Sequence, residues 1–302
     1  MNRRKFIAAS IAGTVAFDGV KGRGQSREGS SDFIDSHVHV WKHDPRFPFA
    51  AGATPPAEDA SVEMLLELMR ANRVSRTVLI QVIHYRWDNS YLASVLRRYP
   101  KIFQGVCRVD PLDPSAPDHL RRLTEEDGFR GVRLSPAFGV EGDWIRSERM
   151  PALWRRCNQL KVPMTLLLPS TRLADVEPLI RANPDLQVVI DHMADIRASE
   201  PQQLVKLMTL AQYPNVFVKL SHLWSLSNEP YPYLDMQTQV KSLVAHFGAA
   251  RLMGGTDWPI SLKQISYAKG VELYRDHLAY LSREDRDQIL HKTVQRVWPF
   301  DL

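Results

Sequence analysis

The chain has 302 residues, 44% of them hydrophobic and 24% charged, which is typical of a globular protein with a large core. The net charge of +5 lies mostly at the N-terminus: without residues 1–24, which hold five Lys or Arg and one acidic residue, it falls to 34 minus 33, or +1. The composition therefore implies no nucleic-acid partner. No apolar run approaches the roughly 20 residues that a membrane span requires.

The first predicted element is an export signal. The stretch MNRRKFIAASIAGTVAF pairs Arg3 and Arg4 with a mildly apolar run, and a Gly- and charge-rich tail follows. This order is typical of a twin-arginine signal, with a basic N-terminal extension as the alternative. We expect residues 1–30 to be signal and linker and residues 31–302 to form the folded domain. The precursor would then use the twin-arginine export machinery, and the mature protein would be periplasmic or exported.

Two cysteines, Cys107 and Cys157, are present, and they form no CxxC motif. A single disulfide is possible in an oxidising compartment. Twin-arginine cargo is exported already folded, so a buried, reduced pair is the favoured interpretation.

The rest of the chain alternates short apolar runs with amphipathic helical patterns. In the stretch 61–72, for example, apolar residues recur at i, i+3, i+4 and i+7, and similar patterns lie near 89–99, 147–160, 172–182, 200–212 and 235–247. The eight predicted strands are Phe33–His37, Thr77–Gln81, Gln104–Arg108, Gly131–Leu134, Pro163–Leu168, Gln187–Asp191, Val216–Leu220 and Leu252–Thr256.

Repeated strand-helix units with continuously apolar strands indicate a parallel α/β fold. Eight such units predict a single-domain (β/α)8 TIM barrel, with chemistry at the carboxyl ends of the strands. A doubly wound open sheet is the competing fold. That fold is expected to carry a Gly-rich phosphate loop after its first strand, where this chain has Asp35-Ser-His-Val-His.

The first strand, FIDSHVHVW, ends in His37 and His39. Residues two apart on a strand face the same side, so both imidazoles can point into one cavity. There they could ligate a divalent metal or polarise a carbonyl group together. The structural alternative is that one histidine caps the strand and the other bonds to the backbone.

Two further strand ends offer candidates. The eighth strand presents Asp257 before a proline, and in a closed barrel this strand neighbours the first. Asp257 could be a metal ligand, a general base or the cap of the next helix. The sixth strand ends in Asp191 and His192; the histidine is the better candidate for chemistry, and Asp191 is as readily structural.

The motifs IDSHVHVW, GFRGVRLSP, LQVVIDHMA, NVFVKLSHL and RLMGGTDWP, in this order, resemble the amidohydrolase-related family (amidohydrolase 2 type) and its lactonase-like branch. The resemblance implies a distorted barrel in which His37, His39, His192 and Asp257 face the substrate. It also implies hydrolytic or decarboxylating chemistry on lactones and small organic acids.

Metal-using members of this family usually hold one divalent ion with the HxH pair, a fifth-strand histidine and the final aspartate. Here the fifth strand contains no histidine. His37, His39 and Asp257 would be the remaining ligands of zinc or manganese, and three is the usual minimum for catalytic zinc. The lactonase-like branch includes enzymes that lack the fifth-strand histidine and work without metal. We therefore favour a site that binds no metal or binds it weakly.

The sequence predicts a hydrolase that opens a small carboxylated or sugar-derived lactone. Asp257 would accept a proton from the attacking water while the histidines hydrogen-bond the developing oxyanion. Gln81, His84, Arg108 and Arg133 are candidates for substrate binding, since two guanidinium groups suit a carboxylate. A metal-dependent decarboxylase on the same fold is one alternative, and a non-catalytic binding protein is another.

Overall fold

The computed structural model describes residues 33–135 and 143–300. The predicted signal segment, residues 1–30, lies outside these ranges, and so does the proposed boundary at residue 31. Within the described ranges, no helix combines the length and the apolar character needed to cross a membrane.

All eight predicted strands are present, and they follow the chain order of the prediction. Each is buried along most or all of its length, as expected for parallel strands covered on both faces. The strands are β1 Phe33–Val38, β2 Val74–Ile80, β3 Phe103–Val106, β4 Val132–Leu134, β5 Met164–Leu166, β6 Val188–Ile190, β7 Val216–Ser221 and β8 Leu252–Gly255.

The strands pair in parallel as two sheets, β1-β2-β3 and β4-β5-β6-β7-β8. Single parallel bridges join the sheet edges at both sides: Cys107 pairs with Val132, and Val38 pairs with Trp258. The first bridge links the end of β3 to β4, and the second links β1 to the residues after β8. This arrangement confirms the parallel α/β class and fits a TIM barrel.

Helices follow most of the strands along the chain. In α1, the Ser61 hydroxyl accepts from the Met64 amide at 3.4 Å, and Val62, Leu65 and Met69 are buried. The helices are α1 Val62–Ala71, α2 Ser90–Arg98, α3 Ala116–Glu125, α4 Met150–Leu160, α5 Leu173–Ala182, α6 Leu204–Met208, α7 Leu223–Leu226, α8 Gln237–Phe247, α9 Tyr267–Arg275, α10 Arg283–Asp287 and α11 Thr293–Val297.

One predicted helix is shorter than expected. The stretch 200–212 contains only α6, with a 3₁₀ turn on each side. In the second turn the Thr209 hydroxyl donates to Lys206 O and the Gln212 amide donates to Thr209 O, so local side-chain bonds compete with the α-helical ladder.

The C-terminal segment packs against the strands. Val294, Val297 and Trp298 form one buried cluster with strand residues such as Ile34 and Met253. This C-terminal cluster matters for the site because the Lys219 ammonium lies 5.1 Å from the centre of the Trp298 ring. Cys107 and Cys157 are both buried and free, which agrees with the favoured interpretation of a reduced pair.

Candidate active site

The two histidines that end β1 meet at one point. His37 Nε2 and His39 Nε2 are 3.2 Å apart, and both rings are buried. An irregularity in the pairing of β1 with β2 lies between Asp35 and Val38. The HxH motif brings the two imidazoles together, but only His39 lines the cavity described below, so the expectation that both face one cavity holds for His39 alone.

Asp257 completes a triangle with these histidines. Its Oδ1 lies 3.6 Å from His37 Nε2 and 3.4 Å from His39 Nε2. The residue has a left-handed backbone (φ 58°), and its amide donates to His37 O at 2.9 Å. Left-handed conformation costs a non-glycine residue about 1–2 kcal/mol, so the surrounding contacts must hold it there.

Asp35 holds the eighth strand against the first beneath this triangle. Its carboxylate accepts from Thr256 N at 2.9 Å and from Thr256 Oγ1 at 2.6 Å, and it also accepts from His37 N. Burial raises the pKa of Asp35 to about 7 despite these bonds. The close approach of β8 to β1 also requires Gly255, because a Cβ at that position would lie 2.9 Å from His37 Cβ.

His192 approaches from β6 through an unusual turn. Residues His192 to Asp195 all have positive φ, between 50° and 55°. The turn places the His192 ring 4.6 Å from that of His37, and its Nδ1 lies 2.7 Å from Ser221 Oγ. Burial, together with the nearby His222 and His37, holds the pKa of His192 well below its ordinary value. The ring is therefore neutral at neutral pH.

The structure adds His222, which the sequence reasoning missed. It directly follows β7, and its Nε2 lies 3.2 Å from Asp257 Oδ2. The signal was available, because His222 obeys the same rule that identified His192: a histidine immediately after a strand that ends at the site.

Asp257 is thus bordered by imidazoles on both oxygens. Burial alone would raise its pKa, but the hydrogen bond from His222 and the proximity of His39, His192 and His37 hold the pKa well below its ordinary value. The carboxylate is therefore ionised at neutral pH.

Behind His37 lies a buried ionic cluster. Asp191 Oδ1 is 3.1 Å from Lys219 Nζ, and Asp191 Oδ2 accepts from Arg133 Nε at 2.8 Å. Burial alone would raise the pKa of Asp191, yet the charge of Lys219, the neighbouring His37 ring and the charge of Arg133 hold it well below its ordinary value. Lys219 was also missed from sequence; its only signal is a lysine inside an apolar strand.

The partners of the two β1 histidines define where their protons lie. His39 Nδ1 is 2.8 Å from the carbonyl oxygen of Ile80, which can only accept, so neutral His39 carries its proton on Nδ1. His37 Nδ1 lies 3.1 Å from Lys219 Nζ, which donates, and 3.4 Å from Asp191 Oδ1. Burial and the charge of Lys219 lower the pKa of His37 to about 3. Neutral His37 that accepts from Lys219 carries its proton on Nε2, inside the triangle.

A cavity of about 220 Å³ opens in front of this cluster. Its wall includes His39, His192, His222 and Asp257. All four therefore reach the space in which a small molecule could bind, whereas His37 lies one layer deeper.

Of the four predicted substrate-binding residues, His84, Arg108 and Arg133 line this cavity and Gln81 does not. The Gln81 amide nitrogen instead donates to Asp88 O and its oxygen accepts from Val82 N, so the side chain organises the loop after β2. Burial lowers the pKa of Arg108 to about 9. Arg133 lines the cavity while its Nε holds Asp191.

The triangle of His37, His39 and Asp257 has dimensions that fit a metal ion. Zinc bonds of about 2.0–2.1 Å in a tetrahedron separate two ligand atoms by roughly 3.3 Å, and the three separations here are 3.2, 3.4 and 3.6 Å. Two further sets of potential ligands share these residues: His37, Asp191 and His192, and His192, His222 and Asp257. On the β5 side the cavity wall is Leu167, so the cluster offers three ligands and no fourth from that strand.

These features define a hydrolase site on a parallel α/β fold. Such a site can work with or without a bound metal ion. The Amidohydrolase family model (Amidohydro_2) matches residues 34–300, and the chain belongs to this family. The resemblance seen in the sequence motifs is thereby confirmed.

Within the family, the chain is similar to the following three proteins. An L-fucono-1,5-lactonase of Burkholderia ambifaria is 29% identical over 76% of this chain and 80% of its own. A 4-sulfomuconolactone hydrolase of Rhizobium radiobacter is 28% identical over 75% of each chain. The crystal structure of a putative 2-pyrone-4,6-dicarboxylic acid hydrolase from Pseudomonas putida superposes with a TM-score of 0.75 at 29% identity, covering 90% of this chain and 99% of that one.

Proposed function

We propose that the protein is a hydrolase that opens a small lactone by attack of water on the ester carbonyl. The observation that carries this proposal is the ionised Asp257 carboxylate, held among His37, His39 and His222 and facing a cavity of about 220 Å³. The names of the three relatives support it, since each is called a lactonase or a hydrolase of a lactone or pyrone.

Asp257 is the proton acceptor for the attacking water. Its pKa, well below the ordinary value, keeps it ionised and also makes it a weak base. The carbonyl must therefore be polarised at the same time, so that the attacking water becomes acidic as it bonds to carbon. A positioned base contributes about two to four powers of ten to such a step.

The histidines polarise the carbonyl oxygen, and the hydrogen-bond partners decide which of them can donate. His37 carries its proton on Nε2 but lies one layer below the cavity, so it donates to the bare Nε2 of neutral His39 at 3.2 Å and steadies that ring instead of reaching the carbonyl. His192 donates from Nε2 when the Ser221 hydroxyl donates to its Nδ1. Each donor aimed at the developing oxyanion is worth about 3 kcal/mol in a site that excludes water.

A bound divalent ion, zinc or manganese, would be held by His37, His39 and Asp257 and would supply a Lewis acid that polarises the same carbonyl. The spacing of these atoms supports that use, and the leucine wall on the β5 side and the cationic Lys219 beside His37 oppose it. We favour the metal-free form, in which Lys219 supports the proton on His37 Nε2. In either form the protein's own groups bind and orient the lactone.

We also propose that the eight strands close into a single (β/α)8 barrel, the arrangement that the two edge bridges support. Residues 1–30 hold a twin-arginine signal and a linker, and the mature protein is periplasmic or exported. Replacing Arg3 and Arg4 by lysine should leave the protein in the cytoplasm of an expressing cell. Export of that variant at the normal level would contradict the signal assignment.

The activity test uses purified protein with a panel of hydroxylated and carboxylated lactones, assayed by acid release before and after chelation. Turnover that survives chelation supports the metal-free form, and turnover lost on chelation and restored by zinc or manganese supports the metal form. No turnover of any lactone would overturn the proposal. The fit of the triangle to a metal keeps a metal-dependent decarboxylase as the second candidate; release of CO2 from a small organic acid would establish it.

A further inference from the structure

Asp195 ends the left-handed turn that follows β6 and lines the same cavity as His192 and His222. The side chain is partly buried. Across residues 33–135 and 143–300, its carboxylate has no hydrogen bond or ion pair with another side chain. Its two oxygens are therefore hydrogen-bond acceptors on the wall of a substrate cavity.

The backbone fixes this placement. Four consecutive residues, His192 to Asp195, are left-handed, and none is glycine. Such residues visit this conformation rarely and at a cost, so the turn persists only because its surroundings hold it. Met193, Ala194 and Ile196 are buried around it, which leaves Asp195 as the residue of the turn that extends beside His192 into the cavity.

Within residues 33–135 and 143–300, no side chain that lines this cavity donates to Asp195. Arg108 and Arg133 both line it, and Arg133 Nε donates to Asp191 at 2.8 Å. His222 directs Nε2 to Asp257 at 3.2 Å. A ligand group beside Asp195 must therefore supply the hydrogen-bond donor itself.

We propose that Asp195 determines substrate specificity by accepting a hydrogen bond from a hydroxyl group of the lactone. This inference rests on the proposed lactonase function and narrows its substrate class to hydroxylated, sugar-derived lactones. A hydroxyl donates to a carboxylate in a charge-assisted bond. A carboxylate or sulfonate on the substrate at this position meets a like charge, which selects against an acidic group beside Asp195.

The test compares kcat/KM for a hydroxylated lactone, L-fucono-1,5-lactone, with that for an acidic one, 2-pyrone-4,6-dicarboxylate, in the wild type, Asp195→Ala and Asp195→Asn. We expect Asp195→Ala to lower kcat/KM for the hydroxylated lactone about tenfold to a hundredfold, mainly through KM. The same change should leave turnover of the acidic lactone unchanged or raise it. Glu200→Gln, which removes an exposed acidic charge from the same segment, is the matched control and should alter neither.

Monodeoxy lactones locate the hydroxyl group. For one monodeoxy lactone, kcat/KM of the wild type should fall below its value for the parent lactone by about the same factor that Asp195→Ala causes with the parent lactone. For Asp195→Ala itself, kcat/KM should be the same with this monodeoxy lactone as with the parent lactone. Equal losses on hydroxylated and acidic lactones, or no loss on either, would overturn the inference.

Binding of the ring-opened hydroxy acid, measured by calorimetry in the wild type and Asp195→Ala, separates this inference from the proposed function. A wild type that turns over no lactone but binds the hydroxy acid more tightly than Asp195→Ala would refute the hydrolase and retain the role of Asp195. Equal binding by both proteins, without turnover, would overturn both.

Discussion

The two faces of His37 differ in how their polar groups are used. On the inner face, Nδ1 meets Lys219 and Asp191, and Asp191 is held in turn by Arg133, all of them buried. On the outer face, Nε2 meets His39 and Asp257 at the floor of the cavity.

On the inner face Lys219 and Arg133 share Asp191 as their counter-charge, whereas the outer face leaves acceptors and donors directed at the space for substrate. A buried charge with a fixed partner stabilises one arrangement of protons. A reacting carbonyl group instead needs hydrogen-bond donors that are directed at the substrate. Under the proposed function, the inner cluster positions the site and the outer cluster carries the chemistry. Substitutions on the inner face should chiefly change stability, and those on the outer face should chiefly change rate.

The largest effect is expected on the outer face. Asp257→Asn keeps the shape of the side chain and removes the proton acceptor, so kcat should fall by about two to four powers of ten. Steady-state kinetics on a hydrolysed lactone measures the loss, and circular dichroism with thermal unfolding verifies the fold. An equally folded variant with at least a tenth of wild-type kcat would contradict the role of Asp257.

The dependence of stability on pH tests the buried state of His37. Its folded pKa, about 3, lies below its ordinary value of 6.5, so the unfolded chain binds this proton more readily. The stabilisation is complete above pH 6.5 and is lost as the pH falls towards 3, at up to about 1.4 kcal/mol per pH unit.

Urea unfolding between pH 7.5 and 4.5, in the presence of a chelator, measures this slope. His192, which is shifted in the same direction, contributes a second part of it. The variant His37→Gln has no imidazole to titrate, so its slope should be shallower than that of the wild type. Identical slopes would show that His37 is not held neutral by its surroundings.

On the inner face, Asp191→Asn should cost about 3–4 kcal/mol of unfolding free energy, because Lys219 and Arg133 then lose their buried counter-charge. Urea unfolding at neutral pH provides the value. Arg121→Ala is the control, since it breaks an exposed pair with Glu125 and should cost less than about 0.5 kcal/mol. A loss for Asp191→Asn as small as that of the control would mean that the cluster is not a stabilising element.

Of the variants on the inner face, Lys219→Met should have the smallest effect on the free energy of unfolding, about 1–2 kcal/mol. Asp191 still has Arg133 as its buried counter-ion in this variant. Its informative effect is on His37, whose Nδ1 is then free to donate to Asp191 while Nε2 becomes a bare lone pair. We expect the ¹⁵N shifts of His37 to report this change of tautomer and zinc to bind at least tenfold more tightly. Unchanged shifts and unchanged zinc affinity would contradict the role assigned to Lys219.

The outer face was largely predictable from sequence, whereas the inner face was not. His37 lies near the end of β1, and His39, His192 and Asp257 follow β1, β6 and β8. The fold brings these strand ends together, so local pattern and topology suffice. The same rule would have added His222. The strands themselves were found for the same reason: buried parallel strands are short apolar runs, and their order follows the chain.

Lys219 and Asp195 show where local reasoning ends. A lysine within a strand is ordinarily solvated, and its burial here depends on Asp191 from the neighbouring strand and Trp298 from the far C-terminus. Asp195 reaches the cavity only through four left-handed residues, a conformation that the preferences of His, Met, Ala and Asp do not predict. The side chain of Gln81, predicted to bind substrate, binds its own loop instead, because a short turn brings Asp88 O within reach.

The most direct test of the central claim is hydrolysis of a hydroxylated lactone by the chelated wild type in water enriched in oxygen-18, with the product analysed by mass spectrometry. Attack of water on the acyl carbon predicts one labelled oxygen in the product carboxyl group and none in the released hydroxyl. Label in the hydroxyl group, or a product that has lost CO2, would contradict the account.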